Sequence, residues 1–158
     1  MSDAPENADN PGVIAPPPLI YVGALIFGLL VGRRFPMSFL PRGVARGLGW
    51  TLLGGGVLLL GWFEWAMRHA GTPTNPYKPV ERIATEGPFR YTRNPGYLAM
   101  TLIYGGITAL ANTLPAALLL PVVLHVMRRG VIEREERYLE GKFGDEYLNY
   151  KARERRWF

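Results

Sequence analysis

The stretch that decides the fold is Asn94–Met127, NPGYLAMTLIYGGITALANTLPAALLLPVVLHVM. Its 34 residues include no Asp, Glu, Lys or Arg. As one helix it would extend roughly 51 Å, which exceeds the ~30 Å hydrocarbon core of a bilayer. A soluble protein of 158 residues has no interior large enough to bury it. The stretch therefore predicts two membrane-spanning helices, at about 95–111 and 114–127, with a turn between them at Asn112-Thr113-Leu114-Pro115.

Two further apolar segments precede this stretch, at about 17–32 and 47–67. The second has aromatic residues near both ends, which is typical of helices that meet the two membrane interfaces. Together the four segments predict an all-α integral membrane bundle of about four transmembrane helices. Residues 13–158 are expected to form a single membrane domain, of which 128–158 is a C-terminal helical cap. The acidic residues 1–12 are expected to form a flexible tail.

An acidic residue and two glycine pairs in or near the predicted spans each have two possible interpretations. Glu64 is the one charge in 47–67. An acid within a span is a functional candidate, but Glu64 is also within reach of Arg68 for an ion pair at the helix end. GxxxG spacing permits close helix approach in lipid, although glycine is also simply frequent in membrane helices. The pairs with that spacing are Gly28/Gly32 and Gly43/Gly47.

The basic residues are distributed unevenly between the two sides of such a bundle. Fourteen of the 18 Lys and Arg residues lie in 68–94 and 128–158, whereas the loop between the first two spans holds four. Cytoplasmic loops of membrane proteins carry an excess of Lys and Arg. We therefore expect the N-terminus, residues 68–94 and the C-terminal cap to be cytoplasmic, at the cytoplasmic membrane if the protein is bacterial.

The composition excludes several kinds of site. The chain has no cysteine and two histidines, which excludes thiolate metal sites, a cysteine nucleophile and a histidine-rich metal centre. No strand precedes the glycine-rich part of 47–67, and no acidic residue follows it at the required distance, so a dinucleotide-binding fingerprint is excluded. We expect neither a metal nor a nucleic acid as a partner.

The segment before the third span reads EGPFRYTRNPGY, from Glu86 to Tyr97. Arg90 and Arg93 precede Pro95, which can serve as the first residue of a helix. Backbone N–H groups at a helix N-terminus attract anions, so the two arginines predict either an anion site or a lipid-phosphate anchor. Asn94 occupies the position of an N-cap, where its side chain either caps the helix or contacts a ligand.

The cap begins with a predicted helix at about 128–143, ended by Gly144. On a helical wheel Glu135 and Glu136 flank its apolar stripe. A carboxylate on such a face needs a cationic or hydroxyl partner, which is either an arginine of 68–94 or a bound cationic or polyol group. Farther on, aromatic residues alternate with basic ones, a pattern typical of a surface that lies on anionic headgroups. They are Tyr147, Tyr150 and Trp157 with Lys151, Arg153, Arg155 and Arg156.

Two strings in the chain resemble those of a known family. Residues 86–97 are similar to the signature GPYRxxRNPxY, and residues 135–150 are similar to its partner, EExxLxxxFGxxYxxY. With Gly71-Thr72-Pro73 ahead of them, they resemble the isoprenylcysteine carboxyl methyltransferase-like family of integral membrane methyltransferases, which is related to the phospholipid methyltransferases. The resemblance covers about residues 60–157.

The resemblance implies an S-adenosylmethionine site between these motifs on the cytoplasmic side, with S-adenosylhomocysteine as the product. It also implies a lipophilic methyl acceptor that enters from the membrane. Arg93 would suit the carboxylate of the cofactor, and Glu135 and Glu136 its ribose hydroxyls or its amine. Aromatic rings would flank the adenine or the sulfonium. The other implied cofactor residues are Glu86, Gly87, Asn94, Pro95, Tyr97, Leu98, Tyr147 and Tyr150.

The sequence does not identify the methyl acceptor, and it is compatible with two other functions. Arg90 and Glu64 are the candidate catalytic residues that would face the acceptor, which is a carboxyl, amine, thiol or phenol. One rival is a membrane NADPH-dependent sterol-type reductase, since such enzymes resemble this chain in a similar Arg-Asn-Pro turn but are usually longer. The other rival is a non-catalytic membrane adaptor.

Overall fold

The computed structural model describes residues 10–75 and 77–157, and in these residues the fold is all-α, without strands. The predicted acidic tail falls mostly on residues 1–9, outside the described residues. A 3₁₀ turn at Gly87–Arg90 precedes the third helix, and a π-helical turn at Arg128–Ile132 joins the fourth to the fifth. The α-helices are α1 Pro17–Arg34, α2 Arg42–Ala70, α3 Pro95–Ala111, α4 Leu114–Met127, α5 Glu133–Phe143 and α6 Asp145–Arg153.

The uncharged stretch folds into a helical hairpin, and its two helices α3 and α4 have the predicted bounds. Each helix has a proline in its first turn, where the missing N–H would have no partner within the helix. Asn112 ends α3 in the left-handed region, with φ of 47°, and its N–H bonds to the carbonyl oxygen of Ala109. Asparagine tolerates this conformation better than most residues, which is why the hairpin turns here.

Three helical stretches are long and apolar enough to cross a membrane: Pro17–Arg34, Arg42–Ala70 and Leu114–Phe143. Helix α3 is apolar but shorter, with 17 residues. Its contact with α2 is the most extensive between any two elements of the described chain. This pairing supports a membrane crossing by α3, which stays a prediction. Helix α2 exceeds the expected 47–67 at both ends, because arginines at helix ends can extend toward the interface.

Glycines allow α2 and α3 to approach closely. A Cβ atom added at Gly106 would lie 2.6 Å from the backbone nitrogen of Leu53 and 2.9 Å from the carbonyl oxygen of Gly49. A Cβ atom at Gly56 would lie 2.9 Å from the carbonyl oxygen of Ala99. Any side chain at these positions would separate the two helices. The close packing matters for the site because α3 begins at it and α2 forms one of its walls.

The pair Gly28/Gly32 serves the contact between α1 and α4. A Cβ atom at Gly28 would lie 2.6 Å from the Cα of Ala116, and Gly32 faces the side chain of Thr113. The interpretation of this pair as a close helix contact is therefore confirmed, and the contact is within the chain. Around the other pair, Gly43/Gly47, no described atom lies within 4 Å of an added Cβ.

The two ends of the bundle differ. At one end, the side chain of Asn112 accepts the N–H groups of Phe39 and Leu40 and donates to the carbonyl oxygen of Leu40. The N–H of Leu114 bonds to the carbonyl oxygen of Met37, so the α1–α2 loop is joined to the α3–α4 turn. Because the helices alternate in direction, residues 71–75 and 77–94 lie with the described residues of the cap, 128–157, at the opposite end. Both sequence motifs meet there.

Candidate active site

Three charged side chains meet where α3 begins. Nη1 of Arg93 lies 3.3 Å from Oε1 of Glu136, and both side chains are only 9% exposed. Arg156 donates to both oxygens of the same carboxylate, from Nε at 2.9 Å and from Nη2 at 2.7 Å. The planar guanidinium fork suits this bidentate contact. Of the two alternatives for Glu136, an arginine of 68–94 or a bound group, the structure shows the arginine, Arg93, and adds a second one, Arg156, from the tail.

The guanidinium of Arg93 keeps unused donors although it is buried. Its Nε and Nη1 atoms make no hydrogen bond within the described residues, although Nη1 is within ion-pair distance of Glu136. The guanidinium also interacts with the hydroxyl of Tyr147, whose pKa burial raises and this interaction lowers. A buried donor without an acceptor costs about 1–3 kcal/mol. The N-terminus of α3 adds positive potential at the same place. These features favour a further anionic group beside Arg93.

The last described residues, 154–157, lie across the loop before α3, and we call them the C-terminal strap. The N–H of Arg93 bonds to the carbonyl oxygen of Arg155 at 2.9 Å. Thr92 Oγ1 and Asn94 Nδ2 donate to the carbonyl oxygen of Arg156 at 3.0 and 2.9 Å. The side chain of Asn94 thus holds the strap and does not cap α3.

The strap corrects one interpretation of the tail. The basic residues of 151–156 were expected to face lipid headgroups, but the guanidinium of Arg156 is bound by Glu136. Its neighbour Arg155 is exposed. The interpretation is therefore wrong for Arg156, because a carboxylate that is nearly buried draws this cation inward.

Glu135 has a different partner from its neighbour. The hydroxyl of Tyr97 donates to Oε1 of Glu135 at 2.5 Å. From α1, the hydroxyl of Tyr21 donates to the carbonyl oxygen of Tyr97 at 3.3 Å and shares a hydrogen bond with Thr101 at 2.8 Å. Burial raises the pKa of Glu135 to about 7, while the hydroxyl of Tyr97 lowers it and the charge of Glu136 raises it. This carboxyl group therefore titrates near neutral pH.

Tyr147 and Tyr150 are buried under α2 and the 3₁₀ turn, in an apolar cluster with Phe89. The hydroxyl of Tyr150 donates to the carbonyl oxygen of Phe89 at 2.9 Å. Burial, with the charge of Glu136, raises the pKa of Tyr147 to about 12. The interpretation that these two rings lie on headgroups is wrong, because α6 turns them toward the bundle. Both rings line a cavity at this end of the bundle.

A cavity of about 780 Å³ joins these polar groups to the interior of the bundle. Its volume is in the range of pockets that hold organic ligands. Ile107, a wall residue, lies roughly 18 Å along α3 from Pro95 at 1.5 Å per residue. The cavity therefore extends from the charged entrance of α3 into the predicted spans. Its apolar part is lined by Leu25, Leu60, Met100, Ile103 and Ile107.

Glu64 lies on the wall of this cavity. Helical spacing places it on one face of α2 with Leu60, Phe63 and Met67, which are wall residues too. Within the described part of the chain no ion pair joins Glu64 to Arg68, so the alternative of a helix-end pair is not observed. A carboxyl group among apolar side chains inside a span is a functional candidate.

Four expected site residues lie away from the cavity wall. Arg90 and Glu86 are exposed at the ends of the 3₁₀ turn. The N–H of Leu98 bonds to the carbonyl oxygen of Asn94 within the first turn of α3. Gly87 has φ of 62°, and a Cβ atom there would lie 3.3 Å from Nε1 of Trp62. Its function here is to let the turn pack on α2. The turn directs Phe89 inward and leaves Arg90 outside, so the structure does not bring Arg90 to the acceptor part of the cavity.

Sequence reasoning missed three contributors to the site: Arg156, Thr92 and Tyr21. Arg156 lies in a basic run that has no distinctive spacing. For Tyr21 a signal exists, because a hydroxyl within an apolar helix needs a partner when it is buried. Within residues 10–75 and 77–157, no three metal-ligating side chains lie together.

The model of the phospholipid methyltransferase family matches residues 44–146, which include most of α2, the 3₁₀ turn, the hairpin and α5. A protein of Haemophilus influenzae, described as uncharacterized, is 43% identical over 61 residues, which are 39% of this chain and 97% of that protein. No solved structure is significantly similar to the chain. With its apolar helices, the match indicates a membrane methyltransferase. The chain belongs to the phospholipid methyltransferase family.

Proposed function

We propose that the protein transfers the methyl group of S-adenosylmethionine to a lipophilic acceptor in this cavity. Arg93 carries the proposal, because its buried guanidinium has unused donors beside the N-terminus of α3. An amino-acid carboxylate supplies the acceptor atoms that these donors lack. S-adenosylhomocysteine, the product of the transfer, has the same carboxylate and binds in the same way.

The other polar groups of the site suit the rest of the cofactor. Glu136 would receive its amine or its ribose hydroxyls, in place of part of the contact with Arg156. The rings of Tyr147 and Tyr150 would flank the adenine or the sulfonium. When bound, S-adenosylmethionine supplies a methyl group on an activated sulfonium. The residues of the chain therefore need mainly to align the two reactants and exclude water.

The apolar part of the cavity supports a lipophilic acceptor. Its walls come from α1, α2 and α3, and Glu64 is the acidic group on them. An apolar chain of the acceptor would lie along α3, while its reactive group would meet the polar end. The cap and residues 68–94 are proposed to be cytoplasmic, because fourteen basic residues lie in these segments.

Titration of S-adenosylhomocysteine into the detergent-solubilised protein tests the cofactor proposal. Wild type is expected to bind it and not NADPH. Loss of charge-assisted hydrogen bonds in Arg93→Ala is expected to weaken binding roughly 10- to 100-fold. Arg137→Ala, which removes an exposed arginine of α5, is the matched control and is expected to bind as wild type does.

Two results would contradict the proposal. Binding of NADPH in place of S-adenosylhomocysteine would favour the reductase. Absence of binding to either compound by the folded protein would favour the non-catalytic adaptor.

A further inference from the structure

The pair of Tyr97 and Glu135 lies between the two parts of the cavity. Tyr97 is in the first turn of α3, one turn beyond Arg93, whereas Met100 and Ile103 follow in the apolar part. Both members of the pair line the cavity wall. A methyl group that passes from a polar cofactor to a lipophilic acceptor must cross this junction. The pair is thus placed beside the reacting atoms if the proposed function holds.

The contacts of Glu135 separate it from the anchoring groups. Glu136 binds two arginines, but Glu135 forms no ion pair within the described residues. Its Oε1 accepts the hydroxyl of Tyr97 at 2.5 Å, and Tyr21 bonds to the backbone of Tyr97. The carboxyl group is held in one orientation without a neutralising cation. This is the arrangement that a proton acceptor requires.

We propose that Glu135 accepts the proton of the methyl acceptor and that Tyr97 positions the carboxyl group of Glu135; this rests on the proposed function. The proposal assigns the acceptor to the protic nucleophiles: an amine, a thiol or a phenol that carries an apolar chain. A carboxylate acceptor has no proton to lose and would be repelled by the carboxylate form of Glu135, which lines the same cavity. Glu135 is then a catalytic residue, and Tyr97 is a positioning residue.

The step is balanced without another reactant. The nitrogen, sulfur or oxygen of the acceptor bonds to the methyl carbon as the carbon–sulfur bond breaks. The electron pair of that bond stays on sulfur and neutralises the sulfonium. The proton of the acceptor passes to a carboxylate oxygen of Glu135, from which it is later lost to water.

The groups around Glu135 set the pH at which it can act. Burial raises its pKa to about 7, Glu136 of the same helix raises it, and the hydroxyl of Tyr97 from α3 lowers it. From α1, Tyr21 bonds to the backbone of Tyr97, and the side chains of Arg93 and Glu64 line the same cavity. The carboxylate form therefore increases as the pH rises through about 7.

The experiment uses the full chain in detergent with methyl-labelled S-adenosylmethionine and four separate probes. The probes are dodecylamine, dodecanethiol, para-octylphenol and dodecanoate. Glu135→Gln and Tyr97→Phe are compared with wild type, and Glu133→Gln is the matched control on α5, where Glu133 pairs with Arg128 and Arg129. S-adenosylhomocysteine binding and the infrared band of protonated carboxyl groups are measured in parallel, because they report without turnover.

We expect label in at least one of the three protic probes and none in dodecanoate. Glu135→Gln is expected to lower kcat roughly 100-fold, the scale of general base catalysis, with S-adenosylhomocysteine affinity within about twofold of wild type. Tyr97→Phe is expected to move the pH midpoint upward, because the hydrogen bond lowers the pKa of Glu135. A carboxyl band that titrates near pH 7 is expected in wild type and not in Glu135→Gln.

Several results would overturn the proposal. These are label in dodecanoate, wild-type kcat in Glu135→Gln, or no label in any protic probe although wild type binds S-adenosylhomocysteine. Loss of that binding in Glu135→Gln would make Glu135 a cofactor ligand and would also overturn it. If wild type neither binds S-adenosylhomocysteine nor transfers label, the proposed function itself fails.

Discussion

Truncation of Arg156 tests whether its contact with Glu136 holds the C-terminal strap on the site. Arg156→Ala removes two charge-assisted hydrogen bonds, of 2.9 and 2.7 Å, but keeps the backbone contacts of the strap. We expect the strap to open more often. Arg155→Ala is the matched control, because Arg155 is exposed and contributes to the strap through its backbone.

The size of the effect follows from the contacts. Hydrogen bonds to charged groups contribute about 1.5–3 kcal/mol each. The side chain of Arg156 is 27% exposed, so solvent screening weakens its hydrogen bonds to Glu136. After the truncation Glu136 still has Arg93 as an ion-pair partner, at 3.3 Å. We therefore expect a net loss of about 2 kcal/mol, which raises the opening equilibrium constant roughly 30-fold, since 1.4 kcal/mol is a factor of ten.

Amide hydrogen exchange of Arg93 measures this opening. Its N–H bonds to the carbonyl oxygen of Arg155, so it exchanges when the strap leaves. We expect protection of this amide to fall roughly 30-fold in Arg156→Ala and to change little in Arg155→Ala. Equal protection in Arg156→Ala and wild type would refute the reasoning, because the strap would then be held by its backbone alone.

Two further predictions concern the bundle. Gly106→Val is expected to lower the unfolding temperature in detergent, because its Cβ would lie 2.6 Å from the backbone nitrogen of Leu53 and overpacking costs about 1–3 kcal/mol. Gly54→Val, with no atom within 4 Å, is the control, and equal temperatures would contradict the close packing. In this cysteine-free chain, Ser38→Cys is expected to react with an impermeant maleimide from outside the cell, and Arg137→Cys only after permeabilisation. The reverse pattern would invert the proposed orientation.

The hairpin could be predicted from sequence because its signals are local. An uncharged run sets the two helices, and prolines and Asn112 set their ends. The end of α5 at Gly144 was likewise predictable, because glycine adopts positive φ values without steric cost. In the structure Gly144 has φ of 52°. The π-helical turn at Arg128–Ile132 was not predictable. The sequence predicts a regular helix over 128–143, and no residue type marks the place where a π-helical turn inserts an additional residue.

The site was predictable in part. Arg93, Glu135 and Glu136 were expected to have partners, because charged groups at a helix entrance and on an apolar stripe need them, and the structure shows these partners. Which partner each takes depends on the tertiary fold. Glu136 takes an arginine that lies 20 residues farther along the chain, and Glu135 takes a hydroxyl of α3. The exposed position of Arg90 was not predictable, because charge and motif position alone do not indicate which way a 3₁₀ turn faces.

Transfer of label from methyl-labelled S-adenosylmethionine tests the central claim most directly. The purified protein is reconstituted in vesicles made from a lipid extract of its own source membranes, and the organic phase is counted. The account predicts a labelled lipophilic product with wild type and with Arg137→Ala, and a strong loss with Arg93→Ala. If folded wild-type protein leaves all the label in the aqueous cofactor, the claim that this cavity methylates a lipophilic acceptor is contradicted.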